Sequence, residues 1–544
     1  MTTQNRTGRT AVLDSAHIGD IEGALGRIST GDTDRSRTLK VRLLTMLAII
    51  GPGQIVMEND AGSVATYTHA GQNYGYSLLW VLLLLIPVLI VNQEMVVRLG
   101  AVTGVGHARL INERFGRFWG WFSVGDLFLL NFLTLVTEFI GVVLVAEYFG
   151  VSRYLVVPMA AVALVVIMAT GSFRRWERAM FVFIAIALLQ VVMALMSHPD
   201  WARVAKSFVV PDMAGGASSP EMLLIIAIVG TTVAPYQLFF QQSNIVDKRI
   251  GPRFIGYERA DTALGALVSV LGAAGLMMTG SWAVRAIHSH TRFVDAGMVA
   301  RLLGAYDKAF GSVFAIVLLN ASILGAAAVT LATSYAFGDM FGLKHSLHRG
   351  FADAKPFYVS YAAMVVLAAV IVLIPGAPLG LITTAVQALA GLLLPSATVF
   401  LLLLCNDREV LGPWVNRPWF NVVAGFTVGL LLMISGVLMV NTLFPHLDVV
   451  AVAAYLAITL AVCAAVATTI LRWSAHRRPK PPLPDQLSRS IARADRTTWR
   501  MPPLTLLQPV TWSAGTRLGM LALRGYLLVA AILLVFKAIQ LGRL

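Results

Sequence analysis

Residues 228–237 read IVGTTVAPYQ and interrupt an apolar segment that otherwise suits a membrane-spanning helix. Proline lacks a backbone N–H and clashes with the carbonyl group four residues before it, so Pro235 predicts that the helix opens around Thr231–Ala234. Carbonyl oxygens freed in this way are cation ligands, although a single proline in a membrane helix can also produce a simple kink. The stretch favours a discontinuous helix at membrane depth.

A second interruption lies in the first apolar segment, where residues 51–63 read GPGQIVMENDAGS. A charged carboxylate at membrane depth costs at least about 2.5–3.5 kcal/mol, so it normally faces a bundle interior or an aqueous cavity. The alternative is a carboxylate that caps a helix at the membrane edge. Asp60 is the stronger candidate ligand, and Glu58 and Asn59 are additional candidates for the same cavity.

The composition places these interruptions in a membrane protein. Of 544 residues, 57% are apolar and 13% are charged, against about 25% charged in soluble domains, and the mean hydropathy is +0.75. Long apolar runs predict an all-α polytopic protein of about 12–13 transmembrane helices. We place the spans at 42–70, 76–97, 118–147, 154–171, 179–197, 221–245, 262–284, 311–337, 357–375, 379–404, 420–441, 448–471 and 519–541.

The positive charges predict the orientation. Most Lys and Arg residues fall in the N-terminal tail and in alternate loops, so the positive-inside rule predicts a cytoplasmic N-terminus and a multi-pass protein of the cell membrane. Topology and contact with the lipid bilayer explain the net charge of +14, and nucleic acid is excluded as a partner because no basic soluble domain is predicted. The predicted regions are a disordered tail (1–41), a core that holds the first ten spans (42–405), helices 11 and 12 (406–471), a basic cytoplasmic linker (472–518) and a C-terminal membrane helix (519–544).

The two interruptions are five spans apart. This is the spacing expected when spans 1–5 and 6–10 are inverted repeats whose discontinuous first helices meet near the bilayer midplane. An acidic side chain beside freed carbonyl groups forms an oxygen-rich site, which suits a cation and repels anions. The pattern therefore predicts a cation transporter.

The motifs resemble those of the Nramp family of divalent-metal transporters. The likeness extends over about residues 44–405 and is carried by Gly51-Pro52-Gly53, Asp60-Ala61-Gly62-Ser63, Thr137-Glu138-Phe139, Ala234-Pro235-Tyr236 and Gln241-Gln242-Ser243. The resemblance implies a LeuT-type inverted-repeat fold with discontinuous helices 1 and 6. It also implies transport of a divalent cation by alternating access, with the metal as substrate and no cofactor.

Residue by residue, the resemblance implies a metal site formed by Asp60, Ser63, Thr231, Ala234 and Gln387. Ser63 stands where the family has an asparagine, and Ala234 stands where it has a methionine, so the thioether ligand is absent. Thr231 matches the position that offers a backbone carbonyl. Gln387 lies eight positions before Pro395; its alternative role is a hydrogen bond between helices. Tyr236, Gln237, Gln241 and Glu138 are additional candidate cavity residues.

The departures from the family pattern bear on coupling to protons. Tyr236 and Gln241 occupy the positions of the two histidines of proton-coupled members, and Leu135 replaces an acidic residue. Glu138 remains, either as a proton carrier or as a structural carboxyl group. These losses resemble the Nramp-related magnesium transporters, so the resemblance implies transport of Mg²⁺ and Mn²⁺ without proton coupling.

Other functions remain as alternatives. Within transporters, these are a proton-coupled Mn²⁺/Fe²⁺ symporter or a LeuT-fold carrier of another small substrate. A membrane-embedded enzyme would need clustered catalytic side chains, and only His69 of the ten histidines falls in an interrupted span. A sensor that binds a metal without moving it would share the site and would differ only in flux.

Overall fold

The computed structural model describes residues 15–24, 26–28, 59–213, 219–288, 291–376, 378–444, 447–448, 450–462, 465, 496–507, 510, 519–521, 523–526 and 528–529. Two short strands, β1 (Ile21–Gly23) and β2 (Gly26–Ile28), precede a helical bundle. Its helices are α1 (Ala61–Tyr74), α2 (Leu79–Thr103), α3 (His107–Phe115), α4 (Arg117–Tyr148), α5 (Arg153–Met168), α6 (Phe173–Ala187), α7 (Leu189–Met196), α8 (Trp201–Val209), α9 (Ser219–Thr232), α10 (Pro235–Asp247), α11 (Ile255–Ala286), α12 (Ala296–Tyr306), α13 (Lys308–Phe341), α14 (Lys355–Val372), α15 (Leu379–Cys405), α16 (Pro418–Leu443) and α17 (Val450–Val462).

Nine helical segments in these described ranges are long and apolar enough to cross a membrane, and α5 and α17 are shorter apolar helices. Together with α1, they coincide with the first twelve predicted spans, so the prediction of a polytopic helical membrane protein is confirmed. Residues 42–58 and most of 519–541 lie outside the described ranges. The prediction of a thirteenth span therefore stays a prediction.

The seventh predicted span starts too late in the sequence. It is predicted from residue 262, whereas the structure has a continuous helix from Ile255 to Ala286. The charged residues at its start indicate a loop, but Arg259 donates from Nε to Oε1 of Glu94 at 3.0 Å and Glu258 is buried. Pairing with another helix lets charged residues remain in a helical turn, and hydropathy alone does not reveal that pairing.

The predicted interruption of the sixth span is present, and the described part of the first span fits an interruption before Ala61. The sixth span consists of α9, which ends at Thr232, and α10, which begins at Pro235, with Val233 and Ala234 outside the helices. The described part of the first span begins as a helix only at Ala61, after Asp60 in extended conformation. Asp60 and Ala234 are both buried, so these two helix N-termini lie inside the bundle.

α1 is central to the packing. It contacts α4, α9, α11, α13 and α15, which come from both predicted repeats. Small residues permit these contacts: a side chain at Gly71 would overlap the backbone of Met277, and one at Gly280 would overlap the backbone of Thr68. The close packing of α1 and α11 is therefore encoded by glycines on both helices.

The tail at residues 1–41 is predicted to be largely disordered, but residues 15–24 and 26–28 form regular elements. Ser15–His17 form a 3-10 turn, and β1 pairs antiparallel with β2, so that Ile21 lies opposite Ile28. Ile21 and Ile28 are buried against the helical bundle. The polar composition of the tail conceals this short element, whose stability depends on the surface against which it packs.

Part of the predicted basic linker, residues 472–518, is also packed against the bundle. The Met501 amide donates to the Val102 carbonyl at 3.1 Å, and the Arg496 guanidinium carbon lies 4.2 Å from the centre of the Trp414 ring. Trp499 is buried over Gly412. Residues 472–495, 508–509 and 511–518 of this segment lie outside the described ranges.

Candidate metal-binding site at the interrupted helices

Asp60 caps the N-terminus of α1. Its Oδ1 accepts a hydrogen bond from the Ser63 amide at 2.5 Å, and the Ser63 Oγ accepts one from the Asp60 amide at 3.2 Å. The two residues thus form a capping box that satisfies amide groups at the start of the helix. The cap fixes the carboxylate at the buried end of the helix.

Glu138 brings a second carboxyl group to the same helix end. Its Oε2 accepts a hydrogen bond from the Ala61 amide at 2.9 Å, while its Oε1 is buried without a hydrogen-bond partner among the described residues. A Cβ at Gly325 of α13 would lie 2.6 Å from the Asp60 Cβ and 2.7 Å from Oε2 of Glu138. Only a glycine lets α13 approach the two acidic residues so closely.

The break in the sixth span supplies neutral oxygens. Because Pro235 has no N–H, the Thr231 carbonyl lacks the amide donor that a continuous helix would offer four residues later. The Thr231 hydroxyl is buried without a hydrogen-bond partner in the described part of the chain. The Ala234 amide, by contrast, donates to Oε1 of Gln237 at 3.1 Å. Gln237 therefore satisfies one side of the break and leaves the oxygens at Thr231 available.

The two interrupted spans are joined by side-chain hydrogen bonds. The Tyr236 hydroxyl donates to Oδ2 of Asp60 at 3.3 Å, and the Tyr67 and Thr232 hydroxyls are 2.8 Å apart. Tyr236 lies in the first turn of α10, Thr232 at the end of α9 and Tyr67 on α1. These contacts hold the Asp60 carboxylate beside the gap between α9 and α10.

Gln387 of α15 packs against both interrupted spans. A side chain at Gly62 would overlap the Gln387 amide, and one at Gly230 would overlap the Gln387 carbonyl oxygen and the Gly391 amide nitrogen. The Gln387 amide nitrogen is buried and has no hydrogen-bond partner among the residues described. Rotation of this amide by 180° would present its oxygen in place of its nitrogen. Gln387 therefore lies where α1, α9 and α15 meet.

The remaining candidate residues lie in different places. Asn59 accepts a hydrogen bond from Gln190 of α7 at 2.8 Å, beside a cavity of about 60 Å³ between α1, α7 and α11. Gln241 lies on α10, and its Oε1 is buried without a partner among the described residues. Glu58 lies outside the described residues. The structure thus brings Asp60, Ser63, Tyr236, Glu138 and Gln387 to one region, and Asn59 faces another helix.

Sequence reasoning missed the residues that allow or maintain this approach. Gly62 stands inside the quoted motif, yet its role depends on Gln387, which is far away in the sequence. Gly325 lies in a run of small residues, LGAAA at 324–328, and such a run is a signal for close helix packing. No sequence pattern indicates that Tyr67 pairs with Thr232.

A cavity of about 1160 Å³ lies near the end of α1 opposite Asp60. Its lining includes His69, Gln72, Leu224, Arg285, Phe293 and Thr384. Gln72 donates to the Thr291 carbonyl at 3.0 Å, and Asn73 accepts from the Phe293 amide at 2.9 Å, so the wall before α12 is fastened to α1. We call this cavity the vestibule.

The chain is similar in sequence to proteins of one family and to two relatives of known function. The sequence model of a family described as natural resistance-associated macrophage protein-like (Nramp) matches residues 54–441. The divalent metal cation transporter MntH of Deinococcus radiodurans is 27% identical over 420 residues, which cover 72% of this chain and 90% of the relative. MntH of Bacillus subtilis is 26% identical over 436 residues, which cover 73% of this chain and 93% of that protein.

The structural comparison gives the same fold. A crystal structure of the Eremococcus coleocola manganese transporter, in complex with an aromatic bis-isothiourea substituted compound, superposes with a TM-score of 0.60 at 20% sequence identity. The match covers 80% of this chain and 97% of that chain. The predicted LeuT-type fold with two discontinuous helices is confirmed.

Proposed function

This chain belongs to the Nramp family, and we propose that it carries divalent metal cations, Mg²⁺ and Mn²⁺, across the cell membrane by alternating access. The observation that carries the proposal is the buried Asp60 carboxylate beside a helix break that has unpaired neutral oxygens. One formal charge and several neutral oxygens suit a hard divalent cation. The curated relatives named above are divalent metal cation transporters, which supports the substrate class.

The donor set supports the hard-ion preference. Ala234 and Tyr236, at the start of α10, provide neither a thioether nor an imidazole, and the candidate ligands Asp60, Ser63 and Gln387 offer oxygen. Sulfur ligands favour softer transition ions, whereas carboxylate, carbonyl and water oxygens suit Mg²⁺ and Mn²⁺. Mg²⁺ also retains several of its waters when it binds. We infer that the ion is held by Asp60 and neutral oxygens from both interrupted spans.

The same residues support transport without proton coupling. Tyr236 donates a hydrogen bond to Asp60 from a position where the proton-coupled relatives have a histidine, and Leu135 takes the place of an acidic residue. Moving a doubly charged ion inward across about 100 mV releases roughly 4.6 kcal/mol. That is enough to concentrate the ion about a thousand-fold, so proton coupling is not required.

The two ends of the bundle suggest the direction of opening. The positive-inside rule assigns the end that carries the N-terminal hairpin to the cytoplasm, and the vestibule then faces the outside. Hydrogen bonds join the helices toward the cytoplasmic end: Asn131 donates to Thr333 at 2.8 Å, and Tyr335 donates to Asp247 at 2.6 Å. We infer an outward-facing arrangement that has to open these contacts to release the ion inside.

A proton-coupled Mn²⁺/Fe²⁺ symporter is the second candidate, and Glu138 is the observation in its favour. This carboxyl group lies beside Asp60 and has one oxygen without a partner among the described residues. Two neighbouring buried carboxyl groups can share or pass a proton. Proton-coupled transport therefore requires Glu138 to release a proton during the transport cycle.

Uptake into proteoliposomes with the internal pH recorded at the same time distinguishes the candidates. We expect Mg²⁺ and Mn²⁺ uptake driven by an inside-negative potential without acidification of the lumen. The variant Glu138→Gln should transport without a change in proton movement, and Glu147→Gln, an exposed glutamate on the same helix, is the matched control. Acidification in proportion to the metal, abolished by Glu138→Gln but not by the control, would establish proton coupling instead.

A further inference from the structure

The far end of α10 is held by the N-terminal hairpin. α10 begins at the metal site with Pro235 and Tyr236 and ends at Asp247 after 13 residues, so it spans about 20 Å. The turn and hairpin, residues 15–24 and 26–28, pack on that end of the helix and on α6. We call these residues the latch segment.

Arg249, directly after α10, fastens the first part of the latch segment. Its Nε donates to the Ala16 carbonyl at 2.8 Å, and its Nη1 donates to the Asp20 carbonyl at 3.3 Å. Gly19 has φ of +134°, and its Cα faces the guanidinium so closely that an added Cβ would lie 3.2 Å from Nη1. A glycine is therefore required at this turn, both by its backbone conformation and by the approach of Arg249.

Two buried charged residues fasten the hairpin. Glu177 of α6 accepts the Ala24 amide on Oε2 and the Lys248 ammonium group on Oε1, the latter at 2.7 Å. Arg178 donates to the Ala24 carbonyl at 3.2 Å. Glu177 and Lys248 are both buried. The hairpin turn thus binds the same Glu177 carboxylate that pairs with Lys248 at the end of α10.

The segment between α13 and α14 forms the third side of this junction. The Asp247 carboxylate accepts hydrogen bonds from Tyr335 at 2.6 Å and from the Leu347 amide at 2.9 Å. His17 of the latch segment lies 3.7 Å from Asp247 and packs edge-on against the ring of His345. The latch segment therefore contacts three parts of the bundle that are distant in sequence.

Alternating access in an inverted-repeat transporter requires one group of helices to move relative to another. A segment that bridges α6, α10 and the chain between α13 and α14 resists such movement at the end of the bundle that it covers. α10 also carries Tyr236, which contacts Asp60, so a shift of its far end is transmitted along a rigid helix to the metal site. The bridging position therefore couples the latch segment to the site.

We propose that the latch segment is a cytoplasmic latch: it stabilises the closed cytoplasmic end and has to release α10 before the ion can leave on that side. The proposal rests on the transport function proposed above. It assigns a role to the N-terminal tail, which lies outside the inverted repeats and contributes no residue to the metal site.

Two isoleucines in the latch segment provide a matched test. Ile21 has 1% of its surface exposed and Ile18 has 62%, so Ile21→Asp should undock the segment, and Ile18→Asp changes the same residue type at the surface. Ala24→Pro is a second disrupting variant, because it removes the amide that Glu177 accepts without adding a charge. All are made in the full chain.

The experiment has two readouts. The first is Mn²⁺ uptake into proteoliposomes. The second is the alkylation rate of Ser243→Cys, a buried position on α10 one turn before Asp247, in a background with Cys405 and Cys463 replaced by alanine. We expect Ile21→Asp and Ala24→Pro to raise the alkylation rate by about tenfold, equivalent to about 1.4 kcal/mol, and to raise uptake. Ile18→Asp should leave both readouts unchanged.

Each other outcome overturns a defined statement. Equal alkylation in all variants, or lower uptake together with a lower melting temperature in the two disrupting variants, would show that the segment is a structural clasp and not a latch. If the wild-type protein transports no Mn²⁺ or Mg²⁺, the proposed function fails, and the alkylation rates alone decide whether the segment closes this end of the bundle.

Discussion

The first and sixth spans are both interrupted, yet the two breaks contribute different chemistry. At the first, Asp60 and Ser63 close a capping box, and Glu138 accepts the Ala61 amide, so amide groups at the helix start are satisfied by oxygen ligands. At the sixth, Pro235 leaves the Thr231 carbonyl without its helical donor. The first break supplies charge, and the second supplies neutral oxygens. A cation site at helix breaks thus needs both a charged group, which the first break supplies, and oxygens without helical donors, which the second supplies.

Removal of the charge should have the largest effect. We expect Asp60→Ala to reduce Mg²⁺ and Mn²⁺ uptake to the level of liposomes without protein, because the site then has no formal charge facing the ion. The helix cap is lost as well, at a cost of about 0.5–2 kcal/mol, so the melting temperature should fall only slightly. Asp353→Ala, at an exposed aspartate, is the control. Wild-type uptake by the Asp60 variant would assign the charge to another carboxylate.

Displacement of Gln387 should have the next largest effect. Gly62→Ala places a methyl group where the Gln387 amide lies, and overpacking of this kind costs about 1–3 kcal/mol. We expect metal uptake to fall by at least about tenfold, or 1.4 kcal/mol. Gly425→Ala, in α16 with no heavy atom within 4 Å of the added Cβ, tests the effect of a methyl group alone. Equal uptake by the two variants would remove Gln387 from the site.

A change at the second break should alter selectivity more than rate. Ala234→Met adds a soft thioether in the gap between α9 and α10 and occupies volume that waters of a hydrated Mg²⁺ would need. The ratio of Cd²⁺ to Mg²⁺ uptake should rise by about tenfold, equivalent to about 1.4 kcal/mol. An unchanged ratio, measured by competition in proteoliposomes, would show that this position does not face the ion.

The smallest effect is expected where the two breaks touch. Tyr236→Phe removes a hydroxyl that donates to Asp60 across 3.3 Å, and a typical intramolecular hydrogen bond contributes about 1 kcal/mol. Metal affinity should change by about fivefold, and Tyr455→Phe, an exposed tyrosine on α17, should not change it. A complete loss of uptake would instead make Tyr236 essential to the site.

Hydropathy and proline chemistry predict most of the architecture. The spans follow from the length of apolar runs, the interruption of the sixth span from the missing amide of Pro235, and that of the first span from the glycine, proline and polar residues of 51–63. The error in the start of the seventh predicted span comes from a contact between helices. Arg259 remains in a helix because it pairs with Glu94 of another helix. The latch segment is a similar case, since Ile21 is buried only by packing against helices far away in sequence.

The membrane architecture, the two helix breaks and the residue types at the candidate site can be read from the sequence, because each depends on the chemistry of neighbouring residues. Which of these residues meet depends on the packing of the helices. Gly62 leaves space for Gln387, and Gly325 leaves space for Glu138, in each case on a helix distant in sequence. Tyr236 reaches Asp60 because α10 starts beside α1. Asn59, next to Asp60 in sequence, turns to Gln190 instead. The physical reason is that these approaches are set by the packing of helices against one another, which no local pattern of residues specifies.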